Sequence, residues 1–282
     1  MEWTDKVVLI TGASSGVGRA LAIELARRGA RLGLLARGLE VPADDLAAAG
    51  SPGRRVQPSS RLQAIADEIE HEATNKAIKP PQVILLPADV RDQKAVRSAA
   101  SELRKNFGDI DVLIANAGIT AVTDVLELDP ELFANVLNVN VMGAVNSVAA
   151  VLPEMVKRGR GHLVGISSLA AYRGHRKAAA YSASKASLSS FFESVRIDLI
   201  GTGIDVSIIH PGFIKTPLTE GRKARLPFLM EVDRAASKII NAIEKRKKSY
   251  AFPWQLATFV RLGMIMPIRL YDPISWRESF KE

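Results

Sequence analysis

Apolar residues in this chain follow two rhythms that take turns. Lys6-Val-Val-Leu-Ile-Thr11 is an unbroken apolar, β-branched run, the pattern of a strand covered on both faces. Directly after it Val17, Leu21 and Leu25 recur at helical spacing, and Gly29 offers a natural stop. The same two patterns predict further strands over 31–36, 82–87, 111–115, 161–167, 204–209 and 249–252. Between them they predict helices over 60–71, 92–107, 130–158, 181–200 and 233–245, with Asp92 as a cap. Strands alternating with helices predict an α/β chain with a single doubly wound parallel sheet and helices on both faces. Residues 38–58 break the pattern with three glycines and three prolines, and read as a mobile excursion. Residues 1–252 carry the alternating pattern, and 253–282 form an apolar C-terminal tail.

Composition narrows the class. Of 282 residues 47% are apolar, enough for a full core, and 24% are charged. There is no cysteine, which excludes disulfides and thiolate metal sites and fits a reducing, cytoplasmic setting. The first strand starts by Lys6, so no cleaved leader is expected, and no run of about 20 apolar residues predicts a spanning helix. A net charge of +8 favours anionic partners: a phosphorylated cofactor, an acidic carrier or an anionic membrane surface. Nucleic acid is not expected, for no basic recognition motif is present. The four histidines are scattered without ligand spacing, so no metal is expected. His175 lies in a loop where a solvated ring is the plain reading, and His210 reads as strand-end packing.

The chemistry-bearing residues stand where strands end. Thr11-Gly-Ala-Ser-Ser-Gly-Val-Gly18 follows a strand and opens a helix, the setting in which glycines cradle a pyrophosphate at a helix N-terminus. At the end of the next strand, about 20 positions on, a carboxylate would bind the ribose hydroxyl of NAD and an arginine the 2′-phosphate of NADP. Ala36 and Arg37 stand there, which favours NADP(H) over NAD(H). Tyr181 and Lys185 share one helical face. A free tyrosine titrates near 10, and an ammonium about 4–5 Å away supplies roughly 3–4 kcal/mol toward bringing it near neutrality. Ser168 ends a buried strand thirteen residues before Tyr181, where open parallel sheets place ligands.

These motifs, in this order, resemble the short-chain dehydrogenase/reductase superfamily in its shorter branch, from Lys6 to about Phe252. The glycine turn, Thr11, Gly12, Ser14, Ser15, Gly16, Val17 and Gly18, is similar to the family's cofactor loop. Asn116-Ala117-Gly118 matches its Asn-Ala-Gly element, although Ala115 replaces the usual first asparagine. Asp89 and Val90 match the pair at the adenine, and Pro211, Gly212, Ile214 and Thr216 the segment at the nicotinamide carboxamide. Asn140, Ser168, Tyr181 and Lys185 align with the catalytic tetrad. The resemblance implies a Rossmann-type fold and hydride transfer between nicotinamide and a carbonyl carbon. It implies Tyr181 as acid/base, Ser168 orienting the oxygen, and Lys185 lowering the tyrosine pKa and holding the ribose. Asn140 would fix a water leading from Lys185 to solvent.

The expected activity is an NADPH-dependent carbonyl reductase, or an alcohol dehydrogenase in reverse, on a small-molecule ketone or secondary alcohol. The alternatives are a 3-oxoacyl or sphingoid ketone reductase at a membrane or carrier, and a non-catalytic NADP sensor. The family implies a homodimer or homotetramer paired through the long helices. Gly143, Ala144, Ser147 and Ala150 offer a close-packing face on one, and Leu188, Phe191, Phe192 and Val195 a larger one on the other. Between Pro253 and Pro267 a short helix would put Leu256, Phe259, Val260 and Met264 on one face. A lid on the substrate cleft or a subunit contact comes first as its partner, an anionic membrane surface second.

Overall fold

In the computed structural model, residues 1–40, 56–75, 81–219 and 226–277 are described. The excursion predicted at 38–58 therefore lies mostly outside the described residues. The chain runs β1 (Val7–Thr11), α1 (Gly16–Arg27), β2 (Arg31–Ala36), β3 (Leu39–Glu40), β4 (Val56–Gln57) and α2 (Ser60–Asn75). It continues through β5 (Val83–Pro87), α3 (Gln93–Phe107), β6 (Val112–Ala115), α4 (Pro130–Leu137), α5 (Gly143–Arg158) and β7 (Gly161–Ile166). Then come α6 (Ala179–Asp198), β8 (Ile204–Pro211), α7 (Val232–Glu244), β9 (Ser249–Phe252), α8 (Trp254–Ile265) and α9 (Ile268–Arg277). Seven strands form one sheet in the order β5-β2-β1-β6-β7-β8-β9. All its ladders are parallel. The doubly wound sheet read from the sequence is the observed one.

Alternation inside β1 divides the core. Val8 and Ile10 face one layer with Leu21 and Leu25 of α1, Leu62 and Ile65 of α2, and Ile239, Ile240 and Ile243 of α7. Val7 and Leu9 face the other with Val96 and Leu103 of α3, Val148 and Val151 of α5, and Leu188 and Phe192 of α6. A strand covered on both sides must be apolar at every position, which is why these strands read as continuous runs.

Two predictions need correction. The helix expected over 130–158 is broken by a turn of π-helix at Asn138–Met142, between α4 and α5. Hydrophobic spacing does not report such a turn, because the apolar stripe continues on either side of it. The small residues expected at a dimer face, Gly143, Ala144, Ser147 and Ala150, are buried within the chain. Gly143 sits so close to Val90 that a Cβ there would come within 2.6 Å of its Cγ2. Leu188 and Phe192 are likewise core, while Phe191 and Val195 are partly buried beside them. Among the described residues one helical run, Pro130–Arg158, has the length and composition to cross a membrane, and half of its apolar window is buried.

Candidate active site

Chain order reverses between β1 and β6, and the crevice at such a switch point is where ligands bind in open parallel sheets. Many of the predicted residues stand at the carboxyl ends of β1, β6, β7 and β8, with Arg37 after β2, Asp89 and Val90 after β5, and Asn140 in the π turn. At β1, Gly12 has φ of +67°, and a Cβ there would lie 2.7 Å from Ala117 Cα. At Gly18 a Cβ would lie 2.3 Å from the Gly12 carbonyl oxygen. Only glycine allows this approach. Asn116 closes the turn by donating from Nδ2 to the carbonyls of Thr11 (3.0 Å) and Gly12 (3.3 Å). The buried Thr11 hydroxyl accepts from the backbone N–H groups of Asn116 and Ala117, both at 3.1 Å. Thr11 thus ties β1 to β6, a structural task beside the binding role expected of it.

Helix α1 begins without a side-chain cap and without an acid in its first turn, Ser15 standing at the cap position in extended conformation. Asp92 caps α3 by accepting from Lys94 and Ala95, and Asp129 caps α4, whereas α6, α7 and α8 begin without a side-chain cap as α1 does. The N-terminal N–H groups of α1 are left open, as an anion-binding helix end requires. Thr216 leans over this turn, within 3.3 Å of a Cβ built at Gly16. Ile214 beneath it is buried. At the outer end of the crevice Arg37 is exposed after β2. Asp89 accepts from the Arg91 side chain at 2.7 Å and from its backbone at 2.9 Å. Those bonds, and more distantly Arg37, hold the Asp89 carboxyl below its usual range. Val90 is buried, its carbonyl accepting from Asn146 Nδ2 at 2.9 Å.

The other side of the crevice is built from side chains. Lys185 is 4% exposed and donates from Nζ to the Ile166 carbonyl at 2.9 Å. Burial lowers its pKa to about 8. Its Nζ lies 5.8 Å from the centre of the half-exposed Tyr181 ring on the same helical face. Ser168 leaves β7 in extended conformation, and its Oγ accepts from Ala170 N–H at 3.1 Å. That bond uses a lone pair and leaves the hydroxyl hydrogen to donate.

Asn140, in the π turn, is fully buried. Its Oδ1 accepts from Ile119 N–H at 2.7 Å, and its Nδ2 donates to the Ile119 carbonyl and to Ser184 Oγ, both at 2.9 Å. Ser184 in turn donates to the Tyr181 carbonyl at 2.7 Å. A Cβ at Gly118 would lie 3.3 Å from Asn140 Oδ1 and 3.4 Å from Lys185 Nζ, so these groups border one small space. Ser184, which anchors Asn140, and Ser167, whose Oγ donates to the Lys185 carbonyl at 3.0 Å, escaped the sequence reading. Serine carries no positional signature that separates such a tie from a surface residue.

His210 is buried as strand-end packing, 5.0 Å from the Tyr172 ring, and burial pushes its pKa down to about 4. His175 is half-buried, and burial lowers it too. Gly212 is clasped where β9 meets the tail: its N–H donates to the Phe252 carbonyl at 2.7 Å, and a Cβ there would be crowded by Leu256, Pro253 and Leu169. A cleft of about 420 Å³ opens elsewhere, between α7, β9 and the start of α8, and none of the tetrad lines it.

A family model described as short chain dehydrogenase matches residues 6–58 and 43–226. An uncharacterized oxidoreductase of Myxococcus xanthus is 40% identical over 276 residues, 98% of either chain. An 11-beta-hydroxysteroid dehydrogenase 1A of Arabidopsis thaliana is 36% identical over 218 residues, 77% of this chain and 54% of that one. Among solved structures, levodione reductase superposes with a TM-score of 0.73 at 23% identity, covering 91% of this chain and 99% of that one. A short chain dehydrogenase from Mycobacterium paratuberculosis bound to NAD gives 0.71 at 25% identity, covering 89% and 97%. The match runs through the glycine turn, the π turn and the Tyr181 helix alike, and the chain belongs to the short-chain dehydrogenase/reductase superfamily as an oxidoreductase of that type.

Proposed function

We propose that the protein is an NADP(H)-dependent carbonyl reductase, and an alcohol dehydrogenase in reverse, acting on a ketone or secondary alcohol. One observation supports the reading: Lys185 is buried at the end of β7, bonded to the Ile166 carbonyl two residues before Ser168 and 5.8 Å from the centre of the Tyr181 ring. NADPH bound across the crevice would supply the hydride, delivered to the carbonyl carbon. The chain's residues attend to the oxygen. Tyr181 gives it the phenolic proton in reduction and takes a proton from the alcohol in the reverse direction. The Ser168 hydrogen, unspent on Ala170, donates to the same oxygen as charge builds there.

Lys185 favours the phenolate through its positive charge, on a helical face where Tyr181 cannot turn far away. Its partial desolvation strengthens that field, and a further donor is free to reach a ribose hydroxyl. Asn140 commits both amide hydrogens to Ile119 and Ser184. It keeps a second Oδ1 lone pair for the water that would connect Lys185 with solvent.

For the cofactor, Gly12, Ser14, Ser15, Gly16, Val17 and Gly18 would take the pyrophosphate and Arg37 the 2′-phosphate. Asp89 and Val90 would line the adenine. Asn116, Ala117, Gly118, Pro211, Gly212, Ile214 and Thr216 would flank the nicotinamide half, with Thr11 holding the turn from behind. A homodimer or homotetramer is part of the reading. Screening NADPH oxidation against steroid, acyl, sugar and aromatic ketones tests it. Turnover on one class supports a reductase; tight NADPH binding with no turnover on any would leave the cofactor-sensing alternative.

A further inference from the structure

The tail is where this chain departs from the economy of its core. Among the described residues, nine of the twenty large apolar side chains that are exposed fall within residues 254–276. Helix α8 shows why. Leu256 and Ala257 are buried and Val260 packs with them against Leu169, Tyr172 and Phe213. Phe259 and Met264, expected on that inner face, are exposed instead. The outer face presents Trp254 (71% exposed), Phe259, Leu262 and Ile265 (81% exposed). Pro267 then turns the chain into α9, where Ile268, Leu270, Ile274 and Trp276 (67% exposed) extend the surface.

The hairpin is not loose. Arg173 donates to the carbonyls of Gly263 and Met266, and its guanidinium lies 3.7 Å from the centre of the Tyr271 ring. The Tyr271 hydroxyl donates to the Gly174 carbonyl at 2.8 Å. The tail is therefore fastened to the loop that joins Ser168 to Tyr181, its apolar outer side turned away from the fold.

Charge decides between occupants. Residues 253–276 and 173–177, fastened to each other, hold Arg173, Arg176, Lys177, Arg261 and Arg269 against one acid, Asp272. Trp254 also borders the cleft between α7 and β9, where Arg234 and Lys238 stand beside the exposed Phe228 and Leu229. A second copy of this face would bring arginines toward arginines, and interface cores are poor in charge. Anionic headgroups would accept the cations while the apolar side chains enter the acyl boundary, with tryptophans at the level they favour. At twelve residues α8 spans about 18 Å, too short to cross. We propose that the α8–α9 hairpin docks the protein on an anionic lipid surface, apolar outer face down, beside the mouth of its active site. Vesicle binding is read without turnover, so it is independent of the chemistry proposed for Tyr181.

The experiment uses the full chain with vesicles of phosphatidylcholine, with and without phosphatidylglycerol. The protein should float with the anionic vesicles, more weakly as salt rises, and remain in solution with phosphatidylcholine alone. Trp254 and Trp276 should shift to shorter emission wavelength, against a constant background from Trp3, which is 2% exposed. Leu262→Glu with Ile265→Glu, both at exposed positions, should reduce flotation by roughly tenfold or more, with thermal midpoint and mass by light scattering unchanged. Failure of the wild type to float with anionic vesicles overturns the proposal. So does undiminished flotation of the double variant. A fall in its mass would assign the face to a second copy instead.

Discussion

The glycine turn and the Tyr181 helix look into the same crevice, yet they are held by opposite means. The turn is fixed by backbone: two close approaches that exclude any side chain, a threonine and an asparagine stitching β1 to β6, and an uncapped helix end. No charge is buried to make it. The Tyr181 side is held by side chains, and one of them is a buried amine whose ammonium form the fold disfavours. On the proposed reading, the binding half is preorganised at little electrostatic cost, and the chemical half keeps a destabilised charge for the proton transfer.

Lys185→Met breaks that contrast most severely. Turnover should fall by about a hundred- to ten-thousandfold, the range of acid–base assistance, and cofactor affinity should weaken. Stability should move the other way. With an unfolded pKa of 10.5 and a folded one of about 8, the unfolded chain binds more protons between these values. Burial of the ammonium then costs about 3 kcal/mol at pH 7, a cost that fades as pH rises from 8 to 10.5. The variant should melt higher than the wild type near neutrality, by an amount reduced by the lost bond to Ile166, and the gap should close in alkali. A difference in midpoint that does not change between pH 7 and 10.5 would contradict the cost of the buried charge.

On the binding half, Gly18→Ala should act through shape alone. Its Cβ would collide with the Gly12 carbonyl, so NADPH affinity should drop together with thermal midpoint, whereas the pH dependence of turnover keeps its form. Arg37 gives a smaller and more specific effect. A charge-assisted contact of about 1.5–3 kcal/mol corresponds to a ten- to hundredfold preference for NADPH. Ala36→Asp with a neutral residue at 37 should invert it. Equal wild-type affinities for both nucleotides would mean that Arg37 serves Asp89 instead.

How much of this the sequence disclosed follows from the same contrast. Backbone-built features leave spacing behind: a strand, glycines at fixed intervals, a helix, and so the turn, the sheet and the Tyr181/Lys185 pair were legible. Features built by burial did not announce themselves. Asn140 was identified, but the π turn that aims it was invisible because apolar spacing continues through it. Ser184 and Ser167 bind it and Lys185 in place without a pattern of their own. Gly143 and Ala144 looked like a subunit face because small residues at helical spacing suit either a partner helix or, as here, the chain's own layer. The tail misled in the opposite sense, its Phe259 and Met264 falling outward although the periodicity put them with Leu256.

A further expected effect is on stability alone and leaves turnover aside. His162 and His210 are buried, and burial pushes each pKa down to about 4 from 6.5. Both are held neutral in the fold, so the unfolded chain binds more protons between pH 6.5 and 4. Stability should be full above 6.5 and decline as pH falls through that window, a slope that His162→Gln should reduce. A midpoint flat from pH 7 to 4.5 would contradict it.

Tyr181→Phe bears most directly on the division between a half that binds and a half that reacts. The ring and its place on α6 are retained, and only the phenolic oxygen is removed. NADPH titrated by fluorescence should bind the variant as it binds the wild type, while single-turnover reduction of the best ketone falls by about a hundred- to ten-thousandfold. Reduction within tenfold of wild type would contradict Tyr181 as the proton donor, and a loss of NADPH affinity as large as the loss of rate would contradict the division itself.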